Sequence, residues 1–327
     1  MRYRLLGQTG LRVSELFLGT MLFGERGGGR TALAECRRIL DLYDDAGGNV
    51  VDTAVNYGGG GGEEVIGELL EGRRDRFVVA TKYTMSRDSN DPNAAGNHRK
   101  NLTLSLETSL RRLRSDYIDL YWVHLWDRHT PIAETMRALD DAVRSGKVLY
   151  VGISDAPAWI VSQANTLADW RGWTPFAGLQ VPYNLLERDI ERELLPMAEA
   201  LGITVATWSP LAHGRLSGTS SVADDDPVMR TVREVAAEVD ATPAQVAIAW
   251  IRARSHAVHP ILGSTSAEQL KENLGVLDVV LPDDAVARLA AAADFSRGFP
   301  GDFIDGMPPW VFGEANGRLD GRPGKSW

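Results

Sequence analysis

Cysteine is all but absent from this chain: Cys36 is the single thiol among 327 residues, so no internal disulfide can cross-link it. Basic residues are in deficit, with 35 Lys and Arg against 44 Asp and Glu and a formal net charge of -9. That balance argues against a surface that tracks nucleic-acid phosphates, while leaving room for a local anion site. No apolar run reaches the length of a membrane span, and the opening MRYRLLGQTG holds no stretch of the kind that directs secretion, so a cytoplasmic protein is expected. A G-x-G-x-x-G fingerprint is also missing, which removes the usual strand-turn-helix cradle for a dinucleotide. What remains is 44% hydrophobic and 24% charged, the composition of a globular chain with a sizeable core.

From residue 15 onward, short β-rich runs alternate with longer stretches of helical period, the pattern of βα units around a parallel sheet. Eight runs stand out: ELFLGT at 15–20, NVVD at 49–52, RFVVATK at 76–82, YIDLYWVH at 117–124, KVLYVGIS at 147–154, FAGLQ at 176–180, ITVATW at 203–208 and AVHPILG at 257–263. Between them Leu33, Cys36, Leu40 and Tyr43 recur at helical spacing, as do Leu102, Leu106, Leu110 and Leu113, and Ile132, Met136, Leu139 and Val143. Thr130-Pro131 predicts proline at the first helical position, and the segments Thr242 to Gln245 and Ser266 to Gln269 fit capping boxes. Eight units predict an α/β fold of the (β/α)8 TIM-barrel kind rather than an open doubly wound sheet. No linker divides the chain, so one domain is expected. It comprises a hairpin over 1–14 that closes the barrel's lower end, a barrel over 15–294, and a long C-terminal loop over 295–327 rich in glycine, proline and aromatics.

Three of the runs end on the ionisable residues Asp52, Lys82 and His124, and Tyr57 follows the first of them in a glycine-rich loop. In a parallel barrel those ends meet on the carboxyl-end face, where such barrels carry their chemistry. Taken singly, each has a plain reading: Asp52 a cap or turn former, Tyr57 a loop aromatic, Lys82 a solvated strand end, His124 a hydrogen-bonded core histidine. Together they suit reduction of a carbonyl, whose oxygen must gain a proton as hydride reaches the carbon. A phenol, with an ordinary pKa of about 10, is a sluggish acid unless a cation favours its ionised form, and Lys82 can supply that field. Asp52 can hold Lys82 charged and oriented, and His124 can hydrogen-bond the carbonyl oxygen; these roles need no metal.

The stretches NVVDTAVNYGGGGGEEVIG, VVATK, SLRRLRSDYIDLYWVH, GKVLYVGIS, QVPYNLLERDIERELLPMAEALGITVATWSPLAHGRLSG and ILGSTSAEQLKEN resemble motifs of the aldo-keto reductases, in that family's order and over almost the whole chain. The resemblance implies a TIM barrel, NAD(P)H-dependent reduction of aldehydes or ketones, and a tetrad of Asp52, Tyr57, Lys82 and His124 with Tyr57 as the acid. It implies NADP(H), or alternatively NAD(H), bound in extended form without a Rossmann domain. The carboxamide would lie against Ser154, Asp155 and Gln180, with Trp208 stacked on the nicotinamide ring. Ser209, Leu211 and Gly214 would wrap the pyrophosphate, and Gly263, Thr265, Gln269, Glu272 and Asn273 would lie toward the adenosine end. Backbone N–H groups at 264–266, where a helix would open, can receive a ribose phosphate. The plain readings here are a core aromatic for Trp208 and a simple N-cap for 264–266.

Three positions depart from the family's pattern. Asp155 stands where many relatives have Asn, and an ionised carboxylate accepts hydrogen bonds without donating them. Thr219 stands where a phosphate-binding Lys is frequent, and Thr265 where many members carry Arg or Lys. On the substrate side, Met21, Phe23 and Trp126, with Trp310 or Phe312 from the tail, are candidates to line an apolar mouth, each with plain packing as its alternative. The glycine-rich, aromatic loops suit a bulky or ring-shaped carbonyl compound. Two rival functions stand beside the reductase. Gly152-Ile153-Ser154-Asp155-Ala156 approximates a hydrolase nucleophile elbow, with His213, His256 and His259 as possible partners. The potassium-channel β-subunits share the barrel and the ILG-S-x-x-AEQL-x-EN pattern, which suggests an NADP-binding regulatory subunit with incidental turnover.

Overall fold

The computed structural model describes residues 1–25, 28–218 and 226–318. Strands β1 (Tyr3–Leu5) and β2 (Arg12–Ser14) pair antiparallel. Eight further strands are all parallel and close into a barrel: β3 (Phe17–Gly19), β4 (Val50–Asp52), β5 (Val78–Tyr83), β6 (Ile118–Val123), β7 (Val148–Ser154), β8 (Phe176–Pro182), β9 (Thr204–Trp208) and β10 (Val258–Gly263), with β10 joined to both β9 and β3. Each expected run overlaps one of these strands, with β5 and β8 running one and two residues further, so the (β/α)8 barrel and its hairpin are as the sequence predicts. Helices α1 (Leu33–Asp45), α2 (Gly61–Leu69), α3 (Arg99–Leu113), α4 (Ile132–Arg144), α5 (Ala158–Arg171) and α6 (Leu194–Leu201) follow β3 to β8 in turn. Both α7 (Pro227–Glu238) and α8 (Pro243–Arg254) lie between β9 and β10, and α9 (Ala267–Leu274) and α10 (Asp283–Ala292) follow β10. Among the described residues no helix is long and apolar enough to cross a membrane.

Side-chain alternation sorts the strand residues into two sets. Val50, Val78, Ala80, Leu120, Trp122 and Ala206 cluster inside the barrel, while Val51, Val79, Tyr121, Val123 and Val205 join the larger core beneath the helices. Trp122 is wholly buried and fills the middle of the barrel. Its bulk explains two glycines on β7 and β8: a Cβ on Gly152 would lie 2.4 Å from the indole, and one on Gly178 2.7 Å. The hairpin seals the lower end, where Leu6 and Val13 extend the interior cluster. Gly7 N donates to Thr204 Oγ1 (2.8 Å), and Arg4 donates to the carbonyls of His256 (2.8 Å) and Val258 (3.2 Å).

Local details differ from expectation. Leu33 is exposed at the start of α1, and Ile39 completes the buried face with Cys36, Leu40 and Tyr43. Pro131 is the N-cap of α4 rather than its first helical residue. Thr242 and Gln245 form the full capping box on α8, but the second box is half made. Ser266 Oγ accepts from Gln269 N (3.1 Å), whereas Gln269 Oε1 reaches one residue further and accepts from Thr265 N (3.0 Å). The C-terminal segment forms two short helices, α11 (Gly301–Asp305) and α12 (Pro308–Phe312), whose large apolar side chains are exposed.

Candidate active site

Asp52 and Lys82 share the inward alternation of Val50, Val78 and Ala80, and His124 follows β6 in step with Leu120 and Trp122. Their side chains therefore converge at the carboxyl end of the barrel. Lys82 is wholly buried, donating to Asp52 Oδ2 and to the Thr53 carbonyl (2.8 Å). The other carboxylate oxygen, Asp52 Oδ1, accepts from Gln180 Nε2 (3.0 Å). Lys82 Nζ stands 5.0 Å from the centroid of the Tyr57 ring, and His124 meets that ring edge-on with centroids 5.8 Å apart. Tyr57 opens a short helical turn, Tyr57–Gly60, in which Gly58, Gly59 and Gly60 have φ of 60°, 62° and 99°. Only glycine adopts three such conformations in succession without strain.

Charge and burial compete at these groups. Burial alone would lower Lys82, but Asp52 and Tyr57 outweigh it and hold the ammonium above its ordinary value. At Tyr57, burial raises the phenol and Lys82 pulls it down, and burial prevails. The lysine thus acts in the expected direction without making Tyr57 a stronger acid; the balance keeps the hydroxyl protonated. Burial, reinforced by the Lys82 charge, brings His124 down to about 3, so the imidazole is neutral near pH 7, and its Nδ1 is buried without a partner.

The residues expected around a cofactor form a rim beside this cluster. Ser154 and Gln180 pair in register at the ends of β7 and β8, and Asp155 N donates to the Gln180 carbonyl (3.1 Å). Asp155 has a left-handed φ of 46°, and its Oδ1 accepts from Trp208 Nε1 (3.2 Å), fixing a half-buried indole at the end of β9. Burial pushes the Asp155 carboxyl upward, against the hydrogen bonds from Trp208 and Ser154. Beyond Trp208, Ser209, Ala212, His213 and Gly214 are all left-handed, and the buried Asn184 donates to the Ser209 carbonyl (3.0 Å). Leu211 packs on the core within that loop. At the end of β10, Gly263 is exposed with open space around its Cα. Thr265 and Gln269 are exposed and bonded to each other, the Glu272 carbonyl is taken by Gln245 (2.7 Å), Asn273 is buried, and Ser264 Oγ is buried without a partner. An anchored indole, a polar rim and a loop held in strained backbone are suited to a flat ring and an anion, and so fit a nicotinamide dinucleotide. Thr219 lies outside the described residues.

On the substrate side, Met21 is exposed after β3. Trp126 is half-buried, with Trp159 set edge-on to it at 5.7 Å. Phe23 is wholly buried in the core, a packing residue rather than part of an open mouth. Trp310 (85% exposed) and Phe312 (50%) project from the tail, because nothing in that segment covers them. Trp159 and Asn184 escaped the reading of the sequence; the inward alternation of Gln180 was the only local signal for its bond to Asp52. Among the described residues no hydrolase triad assembles: His259 Nδ1 meets the Ser14 carbonyl (3.0 Å) and the His256 carbonyl accepts from Arg4 at the barrel floor. Among the described residues no histidine hydrogen-bonds the buried Ser154.

The aldo/keto reductase family model matches residues 15–294. The chain is similar to norsolorinic acid reductase stcV of Emericella nidulans, 39% identical over 91% of this chain and 83% of the relative. It is similar to norsolorinic acid reductase of Aspergillus flavus, 36% identical over 94% and 84%. It is also similar to aryl-alcohol dehydrogenase GME11368 of Pestalotiopsis microspora, 37% identical over 93% and 85%. On fold, motif order and these relatives together, the chain is an oxidoreductase that belongs to the aldo/keto reductase family.

Proposed function

We propose that this protein is a cytoplasmic, single-domain reductase of aryl aldehydes or ketones in which Tyr57 delivers the proton. The carrying observation is the wholly buried Lys82, held between the Asp52 carboxylate and the Tyr57 ring. A nicotinamide dinucleotide, NADP(H) or alternatively NAD(H), supplies or removes the hydride when bound. The chain's own residues do the rest. Tyr57 keeps its proton in the resting site and passes it to the carbonyl oxygen, where the Lys82 charge stabilises the phenolate left behind. Neutral His124 offers a hydrogen bond to the same oxygen without competing for the proton. Ser154, Asp155 and Gln180 would hold the carboxamide, with Trp208 against the ring. Ser209, Leu211 and Gly214 would serve the phosphates, and Gly263, Thr265, Gln269, Glu272 and Asn273 the adenosine end.

The aryl class is supported by the similarity to an aryl-alcohol dehydrogenase and by Trp126, in the loop after β6, set edge-on to Trp159 in the first turn of α5. Met21 is the third proposed wall. The test is turnover of an aryl-aldehyde panel with NADPH and with NADH. Tyr57→Phe should retain dinucleotide binding and lose most turnover, and Lys82→Met should lose turnover more than affinity. Equal rates for Tyr57→Phe and the parent would remove the proposed acid. Uniformly slow turnover, with a stable protein partner in pull-downs, would instead favour the regulatory-subunit reading.

A further inference from the structure

The loop that carries Tyr57 has little stiffness of its own. Three consecutive left-handed glycines follow the tyrosine, and glycine has the most freedom to lose on ordering. Its own backbone contributes Val55 N to the Lys82 carbonyl (3.0 Å), Tyr57 N to the Ala54 carbonyl (3.1 Å) and Gly59 N to the Asn56 carbonyl (3.1 Å). A restraint from outside the loop comes from α3. Arg112 donates through one nitrogen to the Val55 carbonyl (2.9 Å) and to Glu63 Oε2 (3.3 Å), and its guanidinium presses on Gly60, where an added Cβ would lie 2.3 Å from Cζ. Glu63, in the first turn of α2, has no exposed surface, and its Oε1 accepts from Thr81 Oγ1 (2.7 Å) on the strand that carries Lys82. Burial of this carboxyl raises its pKa against the pull of Ser109, Thr81 and Arg112. A buried ion pair of this kind is weak support for stability, since apolar side chains of similar volume often serve as well or better. Its geometry offers a more specific task.

We infer that Arg112 and Glu63 are positioning residues, which clamp the 55–60 loop so that the Tyr57 hydroxyl is held at the reacting centre. They act through the loop backbone and through β5, and touch neither carbonyl nor dinucleotide. This rests on the reading of Tyr57 as proton donor. The test compares parent, Arg112→Met, Arg112→Lys, Glu63→Gln and Tyr57→Phe by kcat with an aryl aldehyde, NADPH affinity from tryptophan quenching, amide hydrogen exchange and Tm. Arg112→Met should lower kcat by about tenfold or more, because small misplacements of a reacting group are costly. NADPH affinity should stay within roughly threefold, and exchange should quicken across 55–60 while the barrel strands keep their protection. Arg112→Lys, keeping the charge but not the planar contact, should fall between Arg112→Met and the parent. Parent-like kcat and exchange in the Arg112 variants would overturn the inference. So would a joint fall of kcat, affinity and Tm, which marks a general scaffold role. If Arg112→Met does not fold, Arg112→Lys and Glu63→Gln are judged by the same criteria. A fully active Tyr57→Phe would sink the underlying reading, whereas an inactive Tyr57→Phe beside a parent-like Arg112→Met would sink the clamp alone.

Discussion

Gln180 and Asp52, 128 residues apart in sequence, meet inside the barrel through a 3.0 Å hydrogen bond from Nε2 to Oδ1. The amide thus touches the carboxylate that holds Lys82, and joins the rim to the charged centre. Hydrogen bonds to charged groups contribute roughly 1.5–3 kcal/mol, so this contact bears on how Asp52 divides its attention between its two donors.

Gln180→Ala is expected to lower kcat/KM by about tenfold. Gln180→Glu should cost more near pH 7, since it sets a second carboxylate beside Asp52, and part of the loss should return as the pH falls and the new carboxyl is protonated. Rate profiles of both variants between pH 5 and pH 9 decide the matter, and a Gln180→Glu enzyme no worse than Gln180→Ala at every pH would contradict it.

Asp155 is expected to matter as an acceptor for Trp208 rather than as a charge. Asn keeps an oxygen for the indole and tolerates the left-handed backbone, whereas Gly fits that backbone and removes the oxygen. Asp155→Asn should therefore bind NADPH within about threefold of the parent, and Asp155→Gly about tenfold more weakly. Tryptophan fluorescence titration measures both.

Gly152→Ala should destabilise the fold by roughly 1–3 kcal/mol, the usual cost of overpacking, because its methyl would meet the Trp122 ring. Urea unfolding provides the value. Adding Trp122→Phe should recover part of the loss, and a double variant as weak as the sum of the singles would argue against this contact as the cause.

Stability should fall in acid through the buried His259, which burial brings down to about 4 despite its hydrogen bond to Ser14. The unfolded chain takes up a proton near the ordinary value of about 6.5, the folded one only near 4, so unfolding is favoured as pH drops through that window. Above about pH 7 both states hold the neutral ring and the effect vanishes. The contribution is up to roughly 3 kcal/mol, and His259→Asn should flatten the slope of Tm against pH between 6.5 and 4. His124 shares the window, so the slope should shrink and not disappear.

The barrel was legible because parallel strands, buried on both faces, write themselves as short apolar runs, and three runs that end on Asp52, Lys82 and His124 bring those residues to one face of it. Depth was not legible. Nothing in the neighbours of Tyr57 reveals that burial outweighs Lys82, and Phe23 sits in a loop whose sequence looks no different from one that opens to solvent. The apolar residues of the tail carried composition without a partner, and Trp310 and Phe312, candidates for the mouth, are exposed. The pairing of Glu63 with Arg112 spans 49 residues and two helices, a contact that only tertiary packing creates.

The hairpin beneath the barrel has a kinetic meaning. A cylinder stoppered at its base and blocked midway by an indole leaves both reactants a single doorway. If the proposed function holds, the reactant that rests deeper is expected to arrive first and depart last, an order that product-inhibition patterns would test.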